Sequence, residues 1–218
     1  MLKFGFIHIP KTGGHYIHRC CNFKKNNIHN FYHDAYHGMT VIGWDSWKPD
    51  SSADLNTESW FNGYKHIIKS QSIDELFTVV RNPFDLLVSY YFYFDCTGWA
   101  NCNKIHNFNS FNEFIEGYLN PSINWHYPIM HEHIFGQLYD ESRLVVKKEN
   151  ILRVETINKD LTNFKERYNL DIITDFKRIC NINPNRPSRD YKEFYTSKQV
   201  KRLEEKFGDA LTTFNYSF

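Results

Sequence analysis

The stretch that decides the fold runs from Phe4 to Tyr16 and reads Phe-Gly-Phe-Ile-His-Ile-Pro-Lys-Thr-Gly-Gly-His-Tyr. Its first part, Phe4 to Ile9, is rich in aromatic and β-branched residues and ends at a proline, which is typical of a buried strand. Gly13 and Gly14 then indicate a tight turn. The stretch therefore predicts a strand followed by a glycine turn.

The residues after the glycines have helical spacing. Ile17, Cys20 and Cys21 recur at intervals of three and four residues, as on the buried side of a short helix. A glycine turn that leads into a helix directs backbone N–H groups toward one point, and the helix dipole adds positive potential there. Lys11 adds a mobile positive charge, so the sequence predicts a phosphate-binding turn.

The charge balance restricts the classes of partner. Lys and Arg number 26 against 25 for Asp and Glu, which gives a formal net charge of +1. No overall field therefore draws the protein to nucleic acid or to an anionic membrane, and any anion site must be local. No segment approaches the roughly 20 apolar residues that cross a bilayer. Met1 to Ile7 lacks the features of a signal peptide, so we expect a soluble cytoplasmic protein.

The five cysteines indicate a reducing compartment. Cys20, Cys21 and Cys180 do not show the paired spacing of a zinc ribbon or of a redox Cys-x-x-Cys. Cys96 and Cys102 flank a short loop and would be close enough to pair in an oxidising setting, but free thiols are expected where no export signal is found.

A second strand-to-helix unit begins near Leu76. Leu76 to Val80 predicts another buried strand. Asn82 is a good helix cap, and Pro83 suits the first helical turn. Arg81 lies between the predicted strand and helix, so a basic residue follows the end of the strand. The apolar face of this helix is expected to consist of Leu87, Tyr90, Tyr91 and Phe94.

The middle of the chain gives weaker signals. The polar segment from Asn22 to Ser72 predicts loops and short helices over the core. Phe111 to Tyr118 and Ile129 to Tyr139 are predicted helices. Leu144 to Val146 and Ile151 to Val154 flank a polar turn, which predicts a hairpin or two neighbouring strands.

Two helices are predicted in the last third of the chain. The first has an apolar stripe with a spacing of three and four residues. The second begins with a capping-box signal, Thr196 followed by Gln199. The stripes consist of Ile157, Leu161, Phe164 and Tyr168 in the first helix, and of Val200, Leu203 and Phe207 in the second.

The order of residues in the glycine turn differs from that of a Walker P-loop. Lys11 precedes Gly13 and Gly14, and no Lys-Ser or Lys-Thr closes a Gly-x-x-x-x-Gly spacing. No evident magnesium carboxylate follows a strand. Both observations count against an ordinary NTPase and against a P-loop-type kinase, which stays an alternative.

Two motifs resemble those of a known family. Pro10 to Gly14, after an apolar strand, resembles the 5′-phosphosulfate loop of sulfotransferases that use 3′-phosphoadenosine 5′-phosphosulfate (PAPS). Val80 to Tyr90 resembles their 3′-phosphate motif, in which the residues matching Arg81 and Ser89 hold the 3′-phosphate of the donor. The Pro-Lys-Thr-Gly-Gly form is closest to the carbohydrate, or Golgi-type, branch.

The resemblance covers most of the chain in patches. It continues through Leu152 to Ile157, Ser188 to Tyr191 and Phe214 to Phe218. It implies a three-layer, P-loop-like α/β sulfotransferase fold, in which helices flank a mainly parallel central sheet. We expect a single domain over residues 1–218, a length sufficient for one core.

The resemblance also implies a donor site. Lys11 would neutralise charge on the leaving phosphate oxygen, Arg81 would form forked hydrogen bonds to the 3′-phosphate, and Ser89 would add a hydroxyl donor. His15 and Tyr16 stand where the family usually has a hydroxyl pair, so one of them would replace the lost donors. The residues expected at the donor are Lys11, Thr12, Gly13, Gly14, His15, Tyr16, Arg81, Ser89 and Arg189; the last belongs to a late loop that also contains Arg186 and Ser188.

A base must take the proton of the acceptor, and histidine suits neutral pH best. The chain has 11 histidines. His37 lies between the two donor motifs, where related enzymes often carry a catalytic histidine, and we predict that it is the base. His66 and His33 are the alternatives. For each of them a role in packing or on the surface also stays open.

A metal site is not predicted. His29, His33 and His37 are spaced by four residues and would share one face if the segment were helical. No carboxylate or cysteine completes a ligand set.

These observations predict an enzyme. It would transfer a sulfuryl group from PAPS to a hydroxyl-bearing acceptor, expected to be a carbohydrate, and release adenosine 3′,5′-bisphosphate (PAP). A nucleotide-binding protein of the same fold without turnover is an alternative, as is the kinase. No nucleic-acid or membrane partner is expected. The sequence predicts neither the acceptor's identity nor the oligomeric state.

Overall fold

The computed structural model describes residues 2–9, 11–34, 39–42, 72–96, 108–120, 135, 138–140, 143–174 and 186–218. Its backbone contacts form two compact units. The sheet unit consists of Met1–Val80 and Phe135–Arg178, and the helical unit of Arg81–Ile134 and Ile179–Phe218. The expectation of one domain over residues 1–218 stays a prediction.

The strands all belong to the sheet unit. They are β1 (Phe4–His8), β2 (Ile28–Asp34), β3 (Met39–Ile42), β4 (Glu75–Val80), β5 (Tyr139–Asp140), β6 (Arg143–Leu144) and β7 (Ile151–Arg153). Five of them form a sheet with the spatial order β3, β2, β1, β4, β7, and β5 pairs with β6 in a separate hairpin. β2, β1, β4 and β7 are parallel, and β3 is antiparallel to β2. The predicted α/β class with a mainly parallel sheet is confirmed.

Helices occur in both units. The sheet unit contains α1 (Gly14–Cys20) and α4 (Ile157–Tyr168), and the helical unit contains α2 (Pro83–Cys96), α3 (Phe111–Tyr118) and α5 (Ser197–Phe214). Short 3₁₀ helices occupy Lys148–Asn150, Val154–Thr156 and Tyr191–Phe194. The predicted order of strand, glycine turn and helix is confirmed at β1 and α1.

Both faces of the central strands β1 and β4 are buried. On one face, Phe6 and Phe77 pack with α1 and α4, where Ile17 and Phe164 contribute to the core. On the other face, Ile7 is also fully buried. A parallel strand that is covered on both faces has no polar side chains to alternate with apolar ones, which explains the continuous apolar run at the start of the sequence.

A buried asparagine joins β4, β7 and α4. The Asn150 side chain is fully buried and donates to Glu75 Oε2 and to the carbonyl of Leu76, both at 3.1 Å. Its oxygen accepts from Arg167 Nη1 at 3.2 Å and from the Tyr168 hydroxyl at 3.1 Å. All the hydrogen-bonding capacity of this amide is therefore used inside the sheet unit.

The predicted helix caps are confirmed in the helical unit. Asn82 Oδ1 accepts from the backbone N–H of Phe84 at 3.0 Å, and Pro83 is the first residue of α2. At α5, Thr196 and Gln199 form a reciprocal capping box, in which each side chain accepts from the backbone N–H of the other residue.

Two strands interrupt the segment that was predicted to consist of loops and short helices. β2 and β3 lie between Asn22 and Ser72, so that prediction is wrong at Ile28–Asp34 and Met39–Ile42. The sequence of β2 mixes Ile and aromatic residues with His, Asn and Asp and has no clear period. β2 forms a strand because its pairing with β1 outweighs the weak local preference of this sequence for the strand conformation.

The predicted strand pair after position 143 is also wrong. β6 (Arg143–Leu144) pairs with the preceding β5, whereas β7 joins the parallel sheet beside β4. The 3₁₀ helix at Lys148–Asn150 separates the two strands and redirects the chain between them. Tyr139, the last residue of the predicted helix 129–139, belongs to β5, and residues 129–134 lie outside the described ones.

Two of the cysteines are free and buried. Burial raises the pKa of the Cys21 thiol far above its usual range and, to a smaller extent, that of Cys20. Both thiols are therefore protonated at neutral pH and react slowly with alkylating reagents. The side chains of Cys96 and Cys102, for which free thiols were expected and a disulfide was left open, lie outside the described ones.

Replacement of Asn150 by alanine tests whether its buried amide joins the strands. Asn150→Ala leaves the Leu76 carbonyl and the Tyr168 hydroxyl without their present partner, and we expect the free energy of unfolding to fall by about 3 kcal/mol. Urea unfolding followed by circular dichroism measures this change. The control is Asn163→Ala, an exposed site in α4, for which we expect a change within about 0.5 kcal/mol. Equal effects at both sites would contradict the assigned role.

Candidate functional site

The turn after β1 is closed by a threonine. Thr12 is fully buried, and its hydroxyl donates to the carbonyl of Ile9 at 2.7 Å. The Thr12 backbone N–H points at the same carbonyl at 3.4 Å. The hydroxyl of this predicted donor-site residue therefore holds the turn in the structure.

Lys11 has a left-handed backbone conformation, with φ of 61°. This region costs an ordinary L-residue about 1 kcal/mol or more, because Cβ approaches the backbone carbonyl. Lys11 is half-buried, and the closed turn around it maintains the conformation. Backbone strain of this kind is concentrated at functional sites, which makes the observation a pointer to function that is independent of the motif.

The two glycines of the turn are required for different reasons. Gly13 has φ of 89°, and a Cβ placed there would make only an ordinary contact, 3.6 Å from Val154 Cγ2. Its requirement is conformational. At Gly14 the obstacle is spatial, because a Cβ there would lie 1.7 Å from Nε2 of His8. No other residue fits at position 14 while His8 keeps its place.

The turn presents backbone N–H groups at its end. Gly13 is the N-cap residue of α1 and has no side chain to cap the helix. The first bonds of the helix run from the N–H groups of Tyr16 and Ile17 to the Gly13 carbonyl, at 2.9 and 3.2 Å. The preceding amides of Gly14 and His15 have no carbonyl one turn earlier within the helix. Such N–H groups are able to bind an anion, and the phosphate-binding role of the turn stays a prediction.

The two residues that depart from the family pattern lie in α1. The Tyr16 hydroxyl donates to Asn158 Oδ1 of α4, and its ring packs on the core of the sheet unit. The hydrogen of this hydroxyl is therefore directed at α4. His15 is the second residue of α1, and its side chain lies outside the described ones. The roles predicted for both residues stay predictions.

In the helical unit, Arg81 forms an ion pair with Asp85. Its Nε and Nη2 both lie 2.6 Å from Asp85 Oδ2. The pair has the i, i+4 spacing at the start of α2, and Ser89 follows one turn further along. Residues spaced by four share one face of a helix, so Asp85 holds the Arg81 guanidinium on the face that carries Ser89.

A second arginine contacts the same carboxylate. Arg186 Nη1 lies 3.0 Å from Asp85 Oδ1. The Arg186 guanidinium also donates to the carbonyls of Ser188 and Arg189, at 2.7 and 2.8 Å, and lies over the Phe194 ring. Arg189, the predicted donor contact, is exposed. Sequence reasoning preferred Arg189 to Arg186, and the only signal for Arg186 was its membership of the same loop.

The Arg81, Asp85 and Arg186 side chains form a partly desolvated cluster. Their exposed fractions are 15%, 18% and 11%. Two guanidinium groups therefore share one carboxylate in this cluster. Charges that are shielded from water interact more strongly than exposed ones, and the role of Arg81 in binding an anion stays a prediction.

The start of α2 is anchored by residues from the last part of the chain. The Tyr195 hydroxyl donates to the carbonyl of Phe84 at 2.7 Å. Asn82 Nδ2 donates to the carbonyl of Ser217 at 2.8 Å and to the Tyr191 hydroxyl at 3.2 Å. Burial raises the pKa of Tyr195, so this phenol stays neutral and keeps its proton for the bond. These contacts fix the backbone from which Arg81 projects.

The predicted base cannot be placed. His37 and His66 lie outside the described residues, and for His33 only the backbone, in β2, is described. β2 is a strand, so His29 and His33 are about 13 Å apart along it and do not share a helical face. Burial, with a smaller effect of Lys3, lowers the pKa of His29. In the described part of the chain, no group of three His, Cys, Asp or Glu side chains is arranged to hold a metal ion.

Comparisons of the chain with protein-family models, with curated proteins and with solved structures found no match. Within the described ranges, no helix is long and apolar enough to cross a membrane. The functional assignment therefore depends on the residues and geometry of the chain itself.

A comparison of glycine with alanine at position 11 tests the left-handed backbone. We expect Lys11→Gly to have a free energy of unfolding about 1 kcal/mol above that of Lys11→Ala, because glycine adopts this conformation without the Cβ penalty. The matched control is Lys201, an exposed site within α5, where Lys201→Ala should be about 1 kcal/mol more stable than Lys201→Gly. Urea unfolding of the four variants measures both differences. The same order at both sites would show that Lys11 is not held at positive φ.

Proposed function

We propose that the protein is a PAPS-dependent sulfotransferase with a P-loop-like sulfotransferase fold. It would transfer the sulfuryl group of PAPS to a hydroxyl group of an acceptor, with carbohydrate as the favoured class. The observation that carries the proposal is the order of the two motifs relative to the strands of the sheet.

The motifs follow two adjacent strands along the chain. Lys11 comes shortly after β1, and Arg81 is the residue after Val80, the end of β4. β1 and β4 are parallel neighbours; β2 lies on the other side of β1, and β7 on the other side of β4. Open α/β sheets bind ligands outside the carboxyl ends of the strands where the strand order diverges in this way. A lone glycine turn would be a much weaker signal.

The glycine turn is assigned to the 5′ side of the donor. The amides at Gly14 and His15 would donate to the 5′-phosphate oxygens, and the Lys11 ammonium would neutralise charge on the oxygen that leaves sulfur. The left-handed backbone of Lys11 and the closure of the turn by Thr12 support this assignment, because both fix the loop before a ligand arrives.

Arg81 and Ser89 are assigned to the 3′-phosphate. A guanidinium presents donors in a fixed fork that matches a phosphate, and the Ser89 hydroxyl adds a donor two turns along α2. The ion pair with Asp85 supports this assignment, because it orients Arg81 along the Ser89 face of the helix. Arg189 would add a further contact from its loop.

The reaction is an in-line displacement at sulfur. The acceptor oxygen forms the new bond to sulfur, the bond from sulfur to the 5′-phosphate oxygen breaks, and its electron pair leaves with PAP. The acceptor proton passes to a base, for which His37 is proposed, with His66 and His33 as alternatives. Positioning and charge stabilisation are the main tasks of the protein in such transfers.

Titration with three nucleotides, PAP, AMP and ATP, tests which phosphate groups the protein recognises. We expect PAP to bind more tightly than ATP, and more tightly than AMP by about 10- to 100-fold, which is the contribution of charge-assisted bonds to the 3′-phosphate. Arg81→Ala should remove most of the preference for PAP over AMP. Lys11→Gly should weaken both ligands alike. Isothermal titration calorimetry measures each affinity.

Two control variants accompany this titration. Lys24→Ala removes an exposed lysine of the sheet unit, and Arg202→Ala removes an arginine of the helical unit that pairs with Glu116 on the surface. Each matches the charge change of its counterpart and should leave the PAP affinity within about twofold. Tighter binding of ATP than of PAP would overturn the sulfotransferase assignment and favour the kinase.

Replacement of the proposed base separates an enzyme from a binding protein. In assays with radiolabelled PAPS and a panel of glycans, we expect His37→Ala to lower kcat by about 100- to 10,000-fold while PAP affinity stays unchanged. His66→Ala and His33→Ala belong in the same series, with His29→Ala as the control. Unchanged turnover in His37→Ala would reject this base, and binding without turnover on any acceptor would favour the nucleotide-binding protein.

A further inference from the structure

We propose that His8 is the positioning residue of the glycine turn. Its imidazole would set the path of the backbone at Gly13 and Gly14, and through it the direction of the N–H groups that meet the 5′ side of the donor. The ligand in this inference rests on the proposed function, whereas the contact between His8 and Gly14 does not.

The His8 ring occupies the space that a side chain at position 14 would need. A Cβ built on Gly14 would lie 1.7 Å from Nε2, 2.2 Å from Cε1 and 2.3 Å from Cδ2 of His8. The imidazole therefore lies directly against the backbone of the turn. The Cα of Gly14 cannot move toward β1 unless the ring gives way.

The His8 ring is held in place by burial and by stacking on its neighbours. His8 is the last residue of β1 and only 5% exposed. It stacks on Phe6 with ring centres 5.4 Å apart, and Phe6 stacks on Phe77 of β4 at 4.9 Å. His18 of α1 lies at 5.9 Å from His8. Three stacked rings thus lead from β4 through β1 to the turn.

The stacked rings of Phe77, Phe6 and His8 form a column that couples the position of the turn to that of the sheet. Phe6 and Phe77 are direct partners in the register of β1 and β4, so the column starts from hydrogen-bonded backbone that is fully buried. Closely packed interiors transmit small displacements instead of absorbing them. A shift of the His8 ring therefore shifts Gly14 and the amides next to it.

Two other contacts described for the turn lie elsewhere or are less close. The Thr12 bond to Ile9 closes the turn before the glycines. Gly13 meets Val154 only at an ordinary contact distance. The close approach occurs at Gly14, at the point where α1 begins. Because His8 acts through Gly14, it positions the donor-binding backbone and need not touch the donor.

A double-mutant cycle tests the contact. His8→Ala, Gly14→Ala and the double variant are compared with the wild-type protein in urea unfolding and in calorimetric titration with PAP. We expect His8→Ala to weaken PAP about tenfold and Gly14→Ala about 100-fold. In the His8→Ala background the new methyl group has room, so the double variant should bind at least tenfold more tightly than Gly14→Ala alone.

A second measurement separates a positioning role of His8 from a general loss of structure in the variant. His8→Ala should weaken PAP and AMP by the same factor, because the preference for PAP depends on Arg81 and Ser89. His8→Gln, which nearly retains the side-chain volume, should bind PAP within about threefold of the wild-type protein. This variant also keeps the inference testable if Gly14→Ala does not fold.

The outcomes separate this inference from the proposed function. If Gly14→Ala is equally harmful with and without His8 in both measurements, or if His8→Ala binds PAP like the wild type, the positioning role is overturned. If the wild-type protein binds no PAP, the proposed function and the ligand part of this inference fail. The unfolding cycle still decides whether His8 fixes the turn.

Discussion

The burial of β1 on both faces and along both edges is the constraint on which the sheet unit depends. β1 pairs with β2 and β4, so its backbone N–H and C=O groups are satisfied on both sides and no edge is exposed. A strand in this position has to leave the sheet at its carboxyl end by a short, sharply bent connection. The bond of Thr12 to Ile9, the positive φ angles and the missing side chain at Gly14 are the local means by which the chain makes this bend.

One carboxylate holds two arginine side chains together in the helical unit. Asp85 is shared by Arg81 and Arg186, so the carboxylate reduces the repulsion between two partly buried guanidinium groups. It also orients both groups, which an exposed lysine cluster would not achieve.

Local signals in the sequence were sufficient to predict those helices and strands that are specified by their own residues. β1, α1, β4, α2, α3, α4 and α5 were predicted, and the caps at Asn82 and Thr196 were assigned correctly because capping depends on residues close in sequence. β2 was missed because its pairing with β1 overrides a polar, aperiodic sequence, and the short β3 pairs only with β2. Arg186 was passed over because its contact with Asp85 joins residues about a hundred positions apart, and no spacing rule reports such a contact.

The residue at position 11 is the point where the needs of folding and of function differ. Glycine would satisfy a φ of 61° at a lower conformational cost than any residue with a Cβ, and glycine is used two positions later, at Gly13, for that reason. A lysine in this closed left-handed turn therefore carries a conformational cost that glycine would avoid. The side-chain charge is what lysine adds and glycine lacks. Our proposal that this cation and the first amides of α1 bind one anion is the reason why we assign the leaving group of the transfer to Lys11.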